Sequence, residues 1–332
     1  MRSRVAACVA GLLLLGSTAC SEDPPSEPHR SSEQAAKSDR QTDGPSGTTT
    51  TDRPSAEPMP SAPPLTESFV PAESARELAH RLATAEDLVR AGGTEEEVRR
   101  AAAFETQLLY RQLARTDAWV EPTRNALPAR YRADLAAHVT ARRSLRSVTT
   151  TLSDELPAWE IIEPAPTPDL LRFYRKGERT YGVRWEVLAA INLVETGFGK
   201  IRGVSTAGAQ GPMQFIPSTW AAYGEGDVND PHDAILAAAR YLAANGGDSD
   251  AGIEGALYRY NNHGGYVAGI LAYASILQRD PRALEGLVRW QIVYLSTIGD
   301  LWLPVGYREA APVPVRQYVR QHPERHLSTA TS

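Results

Sequence analysis

Glu195 has the sharpest chemical signature in the chain. It closes the run Trp185-Glu186-Val187-Leu188-Ala189-Ala190-Ile191-Asn192-Leu193-Val194, which is apolar nearly all round and so reads as a buried helix, Trp185 to Glu195. Gly197 and Gly199 follow as stop residues. A carboxylate in the last turn of such a helix is disfavoured as an anion twice, by loss of solvent and by the negative end of the helix dipole. Both effects raise its pKa, and a carboxyl group that keeps its proton near neutral pH is suited to general acid catalysis. A surface glutamate at a helix end would look the same locally. Glu195 therefore takes its meaning from the residues that follow it.

Those residues run Ser205-Thr206-Ala207-Gly208-Ala209-Gln210-Gly211-Pro212-Met213-Gln214-Phe215-Ile216-Pro217-Ser218-Thr219-Trp220. Small residues and glycines let a backbone approach a ligand closely. Pro212 is placed to open a short helix with Gln214 in its first turn. Gln214 offers both a donor and an acceptor, which suits the hydroxyl rim of a sugar, and Trp220 and Tyr223 could meet its C–H face. A tight loop with core aromatics is the competing reading of this stretch. Asp230-Pro231-His232-Asp233 reads as a helix start, with Asp230 as N-cap and Pro231 at the first position. Helices are predicted from about Ala251 to Tyr260 and from Gly265 to about Gln278. A second carboxylate for two-acid glycoside hydrolysis is not obvious. Asp230 and Asp233 have capping roles, Glu186 faces away from Glu195 on its helix, and Glu225 and Asp227 are the remaining neighbours.

The elements that must position these groups belong to an exported, mostly helical chain of 332 residues with net charge −5. That balance argues against a nucleic-acid partner, which favours a basic face. Arg2 and Arg4, the apolar run Val5 to Gly16 and Ser17-Thr18-Ala19-Cys20 resemble a lipoprotein signal peptide over residues 1–20, with Cys20 as the lipidated residue. The apolar run is too short to span a bilayer. Residues 21–68 contain no aromatic residue, Val or Ile and read as a disordered tether with a reach of ~40 Å. Residues 69–156 have helical periodicity, with Thr94 and Glu97 in a capping-box pattern and a third stretch from Pro128 toward Leu152. Pro157 to Pro168 marks a boundary, and Asp169 to Tyr181 reads as a helix. Alternation at Trp290, Ile292 and Tyr294 predicts a small β-hairpin with Gly299-Asp300 as its turn, and residues 311–332 read as a tail.

Taken in order, Glu195-Thr196-Gly197, Ala207 to Phe215 with Pro217-Ser218-Thr219-Trp220, the Asp230-Pro231-x-Asp233-Ala234-Ile235 helix start and Tyr260-Asn261 resemble a lytic murein transglycosylase of the lysozyme-like superfamily. The similarity runs from about Leu170 to Gln278 and is closest to the membrane-bound type B and its actinobacterial lipoprotein members. The resemblance implies a mainly α fold, with a lysozyme-like domain over residues 157–310 and a glycan groove. It implies cleavage of MurNAc–GlcNAc bonds in peptidoglycan with formation of 1,6-anhydroMurNAc, Glu195 serving as the single acid and base. It places Ser205 as a hydrogen-bond partner of Glu195, Gln214 in a sugar subsite, and Tyr260 and Asn261 across the groove. Relatives often carry a calcium loop before the Asp-Pro helix. Gly224 to Asn229 is too short for one, so no metal or other cofactor is expected. A hydrolase using Glu225 or Asp227 as second carboxylate, or a non-catalytic wall-binding lipoprotein, would share much of this pattern.

Export and lipidation make the chain a membrane lipoprotein facing the cell wall. Cys20→Ala should move the protein from the detergent phase to the aqueous phase in phase partitioning, and equal partitioning of both forms would exclude the anchor.

Overall fold

The computed structural model describes residues 69–327. The signal peptide, Cys20 and the tether lie outside them. The described residues form a mainly α fold with a few short strands. Four helices come first: α1 (Ala75–Arg90), α2 (Glu96–Arg115), α3 (Asp117–Ala126) and α4 (Ala129–Val148). The short strands β1 (Glu155–Leu156) and β2 (Glu160–Ile161) lead to α5 (Thr167–Tyr181) and α6 (Trp185–Thr196), then β3 (Ile201–Arg202), which pairs with β2. Next come α7 (Pro217–Tyr223), α8 (Pro231–Ala244), α9 (Ile253–Tyr260), α10 (Gly264–Arg279) and α11 (Ala283–Arg289).

The central element is α6. Every residue from Val187 to Thr196 is buried, so the helix is surrounded by protein as its composition predicts. It ends at Gly197, whose φ of 60° gives the left-handed cap that terminates the helix just after Glu195. α5, α8 and α10 pack around it. α4 packs along α10 because Gly265 and Gly269 clear the way. A Cβ at Gly269 would lie 2.5 Å from Leu145 Cγ, and one at Gly265 would lie 2.5 Å from the Ser144 carbonyl oxygen. A single apolar core therefore includes Tyr110, Leu135 and Leu145 beside Leu188, Ile191 and Ile270.

The last part of the chain forms the predicted hairpin. β4 (Ile292–Ser296) pairs antiparallel with β5 (Gly299–Leu303), with Ser296 opposite Gly299. The turn is therefore Thr297-Ile298, and Gly299-Asp300 lies in the strand rather than at the tip. Residues 311–327, read as a tail, instead hold β6 (Val313–Pro314), α12 (Val315–Gln321) and β7 (His326–Leu327). β6 pairs with β1, and β7 adds a third strand beside β5. Val315 and Tyr318 anchor the region in a small apolar cluster with Leu301 and Leu303. α3 also goes beyond the sequence expectation. It contains Pro122 and buries little, so its periodicity is weak. The Thr94–Glu97 capping box does not form: Glu95 is the N-cap residue of α2 and makes no side-chain cap, while Thr94 Oγ1 donates to the Ala91 carbonyl at 3.3 Å.

Buried ion pairs join the first helices to the rest. Arg90 pairs with Glu86, with Asp134 at 3.3 Å and with Asp280 at 3.0 Å. Arg111 pairs with Asp300, to which Arg115 also donates at 2.9 Å. Burial alone would raise the Asp300 carboxyl pKa, but Arg111 and then Arg115 hold it well below the usual carboxylate range. Removing one partner of a buried pair leaves the other charge uncompensated, at ~3–5 kcal/mol, whereas an exposed pair contributes at most ~1 kcal/mol. Asp300→Ala should therefore lower urea stability by ~3–5 kcal/mol, whereas Arg130→Ala, which removes only an exposed pair with Asp87, should leave the urea midpoint nearly unchanged.

Candidate active site

Glu195 is 5% exposed, in the last turn of α6. Its Oε1 accepts a hydrogen bond from the Tyr266 hydroxyl at 2.7 Å. Burial pushes its carboxyl up to about 8, and the Tyr266 bond partly offsets that rise. No neighbouring carboxylate contributes to the shift. At neutral pH the group is therefore mostly the neutral acid, kept so by desolvation rather than by a second charge.

The segment from Ser205 to Phe215 is fastened beside Glu195 by its own carbonyls. Asn192 and Thr196 are polar residues on a buried helix, and buried polar groups need partners. Asn192 Nδ2 and Thr196 Oγ1 both donate to the Pro212 carbonyl, at 2.9 and 2.7 Å. From the other side, the Tyr260 hydroxyl donates to the Met213 carbonyl at 2.6 Å. The Tyr260 and Tyr266 rings lie nearly parallel, at 6° with centroids 6.4 Å apart. A chain of contacts thus runs from Glu195 through Tyr266 and Tyr260 to the loop. The turn Tyr260-Asn261-Asn262-His263 between α9 and α10 makes this possible. His263 Nδ1 accepts from the Gly265 N–H at 2.9 Å and so caps α10, which presents Tyr266 in its first turn.

Pro212 does not open a helix. Residues 210–215 form a tight turn in which Gln210 and Phe215 exchange backbone hydrogen bonds at 2.9 Å. Gly211 has φ of 72°, and a Cβ there would lie 1.9 Å from the Val228 carbonyl oxygen. Gln214 also adopts a left-handed backbone, with φ of 52°, which is uncommon for a residue with a side chain. Such conformations cluster at functional sites.

The residues read from the sequence are placed as follows. Gln214 is buried. Its Nε2 donates to the Gly211 carbonyl at 2.9 Å, and its Oε1 meets no partner among the described residues. Tyr260 is half-buried and stands beside Tyr266. Asn261 is buried in the turn that follows α9. Ser205 makes no hydrogen bond to Glu195 among the described residues. Its hydroxyl accepts from the Ala209 N–H at 2.9 Å, and its backbone N–H donates to the Ala209 carbonyl at 3.0 Å, which closes the start of the loop. The resemblance places Ser205 as a partner of Glu195; the hydrogen bond seen at Glu195 Oε1 comes from Tyr266, a residue that the sequence reading missed. A tyrosine just inside the helix after Tyr260-Asn261, behind the paired glycines Gly264 and Gly265, was the available signal.

Neither alternative acid joins the site. Glu225 is exposed and pairs with Arg240 at 2.9 Å, and Asp227 accepts from the Asn229 N–H in an exposed turn. Asp230, His232 and Asp233 form a group of metal-ligand type at the start of α8, yet their oxygens are engaged locally. Asp230 Oδ1 caps the helix from the His232 and Asp233 N–H groups, at 2.8 and 3.1 Å. Asp233 meets His232 Nδ1 at 2.9 Å and the Asp227 N–H at 3.0 Å.

Residues 172–279 match the family model of the transglycosylase SLT domain, of the lysozyme-like superfamily. The matched segment spans α5 to α10 and contains Glu195, Tyr260 and Tyr266. It supports a lytic transglycosylase acting on peptidoglycan. No solved structure matches the chain.

Because the folded state keeps the Glu195 proton up to about 8, it binds more protons than the unfolded chain between the ordinary carboxyl pKa of ~4.3 and that value. The contribution of Glu195 is full below that window and declines as pH rises through it, by at most ~1.4 kcal/mol per pH unit. Glu195→Gln has no such proton. Urea unfolding at pH 5 and pH 8 should show a stability gap between variant and wild type that shifts in favour of the variant at pH 8.

Proposed function

We propose that the protein is an exported peptidoglycan lytic transglycosylase in which Glu195 is the single acid and base. The observation that carries this reading is a buried carboxyl with its pKa pushed up to about 8 by desolvation, with no second carboxylate acting on it. A retaining or inverting hydrolase needs two carboxyl groups at set separations. One suffices when the substrate supplies the nucleophile.

Glu195 Oε1 accepts from Tyr266, so the acid proton belongs on Oε2. That proton passes to the glycosidic oxygen of a MurNAc–GlcNAc bond as the bond to C1 breaks. The N-acetyl group of the MurNAc ring supports the developing positive charge. The Glu195 carboxylate then takes the proton of the C6 hydroxyl while that oxygen bonds to C1. The product is 1,6-anhydroMurNAc, and no water is consumed. Tyr266 fixes the carboxyl rotamer and moderates its basicity. Gln214, with Oε1 unpartnered and its backbone in a left-handed conformation, supplies an acceptor for a sugar hydroxyl or N-acetyl N–H. Tyr260 and Asn261 bound the site opposite α6, and Ser205 shapes the loop. The resemblance of the motifs to the membrane-bound type B lipoproteins supports anchoring through Cys20, with residues 21–68 as the tether.

Wild-type digests of peptidoglycan should yield muropeptides ending in 1,6-anhydroMurNAc, lighter by one water than reducing-end products in mass spectrometry. Glu195→Gln should retain the fold and lose at least ~10²–10⁴-fold in turnover, since it can neither donate nor recover the proton. Reducing ends in the wild-type digest would indicate a hydrolase, and full activity of Glu195→Gln would remove Glu195 from the mechanism. Activity should decline as pH rises through about 8, as the acid is lost. Tyr266→Phe deletes the bond that lowers this pKa, so its alkaline limb should move to higher pH while turnover falls.

A further inference from the structure

Tyr266 reaches Glu195 from a helix start that is weak by composition. The first two residues of α10 are Gly264 and Gly265, and Tyr266 is the third. Glycine loses the most backbone freedom on entering a helix. Position 265 admits no larger residue, since a Cβ there would lie 2.5 Å from both the Ser144 carbonyl oxygen and Ser147 Oγ of α4. The turn that carries Tyr266 therefore depends on its N-cap.

That cap is His263, which is half-buried and has an extended backbone. Its Nδ1 accepts from the Gly265 N–H at 2.9 Å, and its carbonyl accepts from the Tyr266 N–H at 3.0 Å. The usual N-cap residues Asn, Asp, Ser and Thr accept through an oxygen that is available throughout the neutral range. An imidazole nitrogen accepts only while it carries no proton, so the neutral ring here has its hydrogen on Nε2. A proton on Nδ1 sets donor against donor at Gly265 and places a cation at the positive end of the helix dipole. Both effects open the turn. The Tyr266 hydroxyl, 2.7 Å from Glu195 Oε1, is carried three residues from the cap.

The other titratable and charged groups on the adjoining stretches of the packed elements are directed elsewhere. On α4, Arg143 pairs with Asp117 and Arg146 donates to the Thr149 carbonyl. On α9, Arg259 folds back along its helix, with Nη1 3.6 Å from where a Cβ of Gly255 would lie. On α6, Glu195 is bonded to Tyr266. Burial raises the Tyr260 and Tyr266 hydroxyls well above the ordinary tyrosine range, so both remain donors. Among the described residues the ring of His263 bonds only to the Gly265 N–H.

We propose, on the reading of Glu195 as the acid, that His263 is a proton-sensitive positioning residue: it holds Tyr266 on Glu195 while Nδ1 is free and releases it when Nδ1 is protonated. The reaction then has two opposite proton requirements, a neutral ring at His263 and a protonated carboxyl at Glu195. Imidazoles ordinarily change charge between about pH 5 and 8, whereas a second carboxylate acting as base would place its limb near ~4.3.

The pH profile of turnover tests this. Wild type should show an acid limb on which kcat falls about tenfold per pH unit while KM changes little, as an imidazole takes up its proton. His263→Asn retains an acceptor and does not titrate, so this limb should vanish. His263→Ala removes the cap. Its kcat should fall, its alkaline limb should move to higher pH as in Tyr266→Phe, and combining it with Tyr266→Phe should lower kcat no further. Nitrogen NMR of the wild-type ring should show the Nε2–H tautomer at neutral pH and a titration that coincides with the acid limb. An acid limb unchanged in His263→Asn, or an Nδ1–H tautomer in wild type, would overturn the assignment. A wild type without an alkaline limb, but with an acid limb that His263→Asn removes, would sink the role of Glu195 and keep that of His263. Should the variants fail to fold, NMR of the wild type decides alone.

Discussion

Withdrawal of the Glu195 carboxyl from water is the constraint to which the rest of the site responds. A carboxylate in that position would need charged partners, and among the described residues its hydrogen-bond partner is the hydroxyl of Tyr266. The group therefore rests as an acid. Keeping it dry requires α6 to be enclosed on all sides, which explains the apolar composition of that helix and the packing of α5, α8 and α10 around it. It also requires a loop to close over the helix end. Asn192 and Thr196 hold that loop by a single carbonyl, at Pro212.

The N-terminal helices contribute to this enclosure from a distance. α4 seats Leu145 against the open face of Gly269, and α2 engages the hairpin through Arg111 and Asp300. Arg90 binds carboxylates from α1, from α4 and from the end of α10. Buried ion pairs are not strong net stabilisers, but they are unforgiving of alternative registers, because a shifted helix would strand a charge. Their effect here is to set α4 along α10 in one alignment, and α10 in turn presents Tyr266 to Glu195.

Much of this was legible in the amino-acid sequence because it rests on local chemistry. The composition of residues 185–194 identifies a buried helix, Gly197 ends it, and Asp230 caps α8 as its side chain predicts. The hairpin was legible as alternation at Trp290, Ile292 and Tyr294. Its turn was misplaced because Gly-Asp is strong turn chemistry, while the pairing of Ser296 with Gly299 is decided by contacts across the sheet. β7 was invisible for a similar reason, since two residues become a strand only beside β5. Tyr266 was missed because a tyrosine in an apolar helix looks like core, and it is core except for its hydroxyl. Ser205 illustrates the converse. A hydroxyl near the acid in sequence found a nearer partner in its own loop, at Ala209.

The packing of α4 on α10 bears on how this fold can be divided. The family match ends with α10 and begins within α5, so it excludes the helix that covers the glycine face of α10. A gene fragment encoding residues 172–279 alone would leave Gly265 and Gly269 as a bare groove and strip Asp134 from Arg279. The matched segment is thus not a unit of folding autonomy. Separated from α4, it would carry an exposed seam along α10.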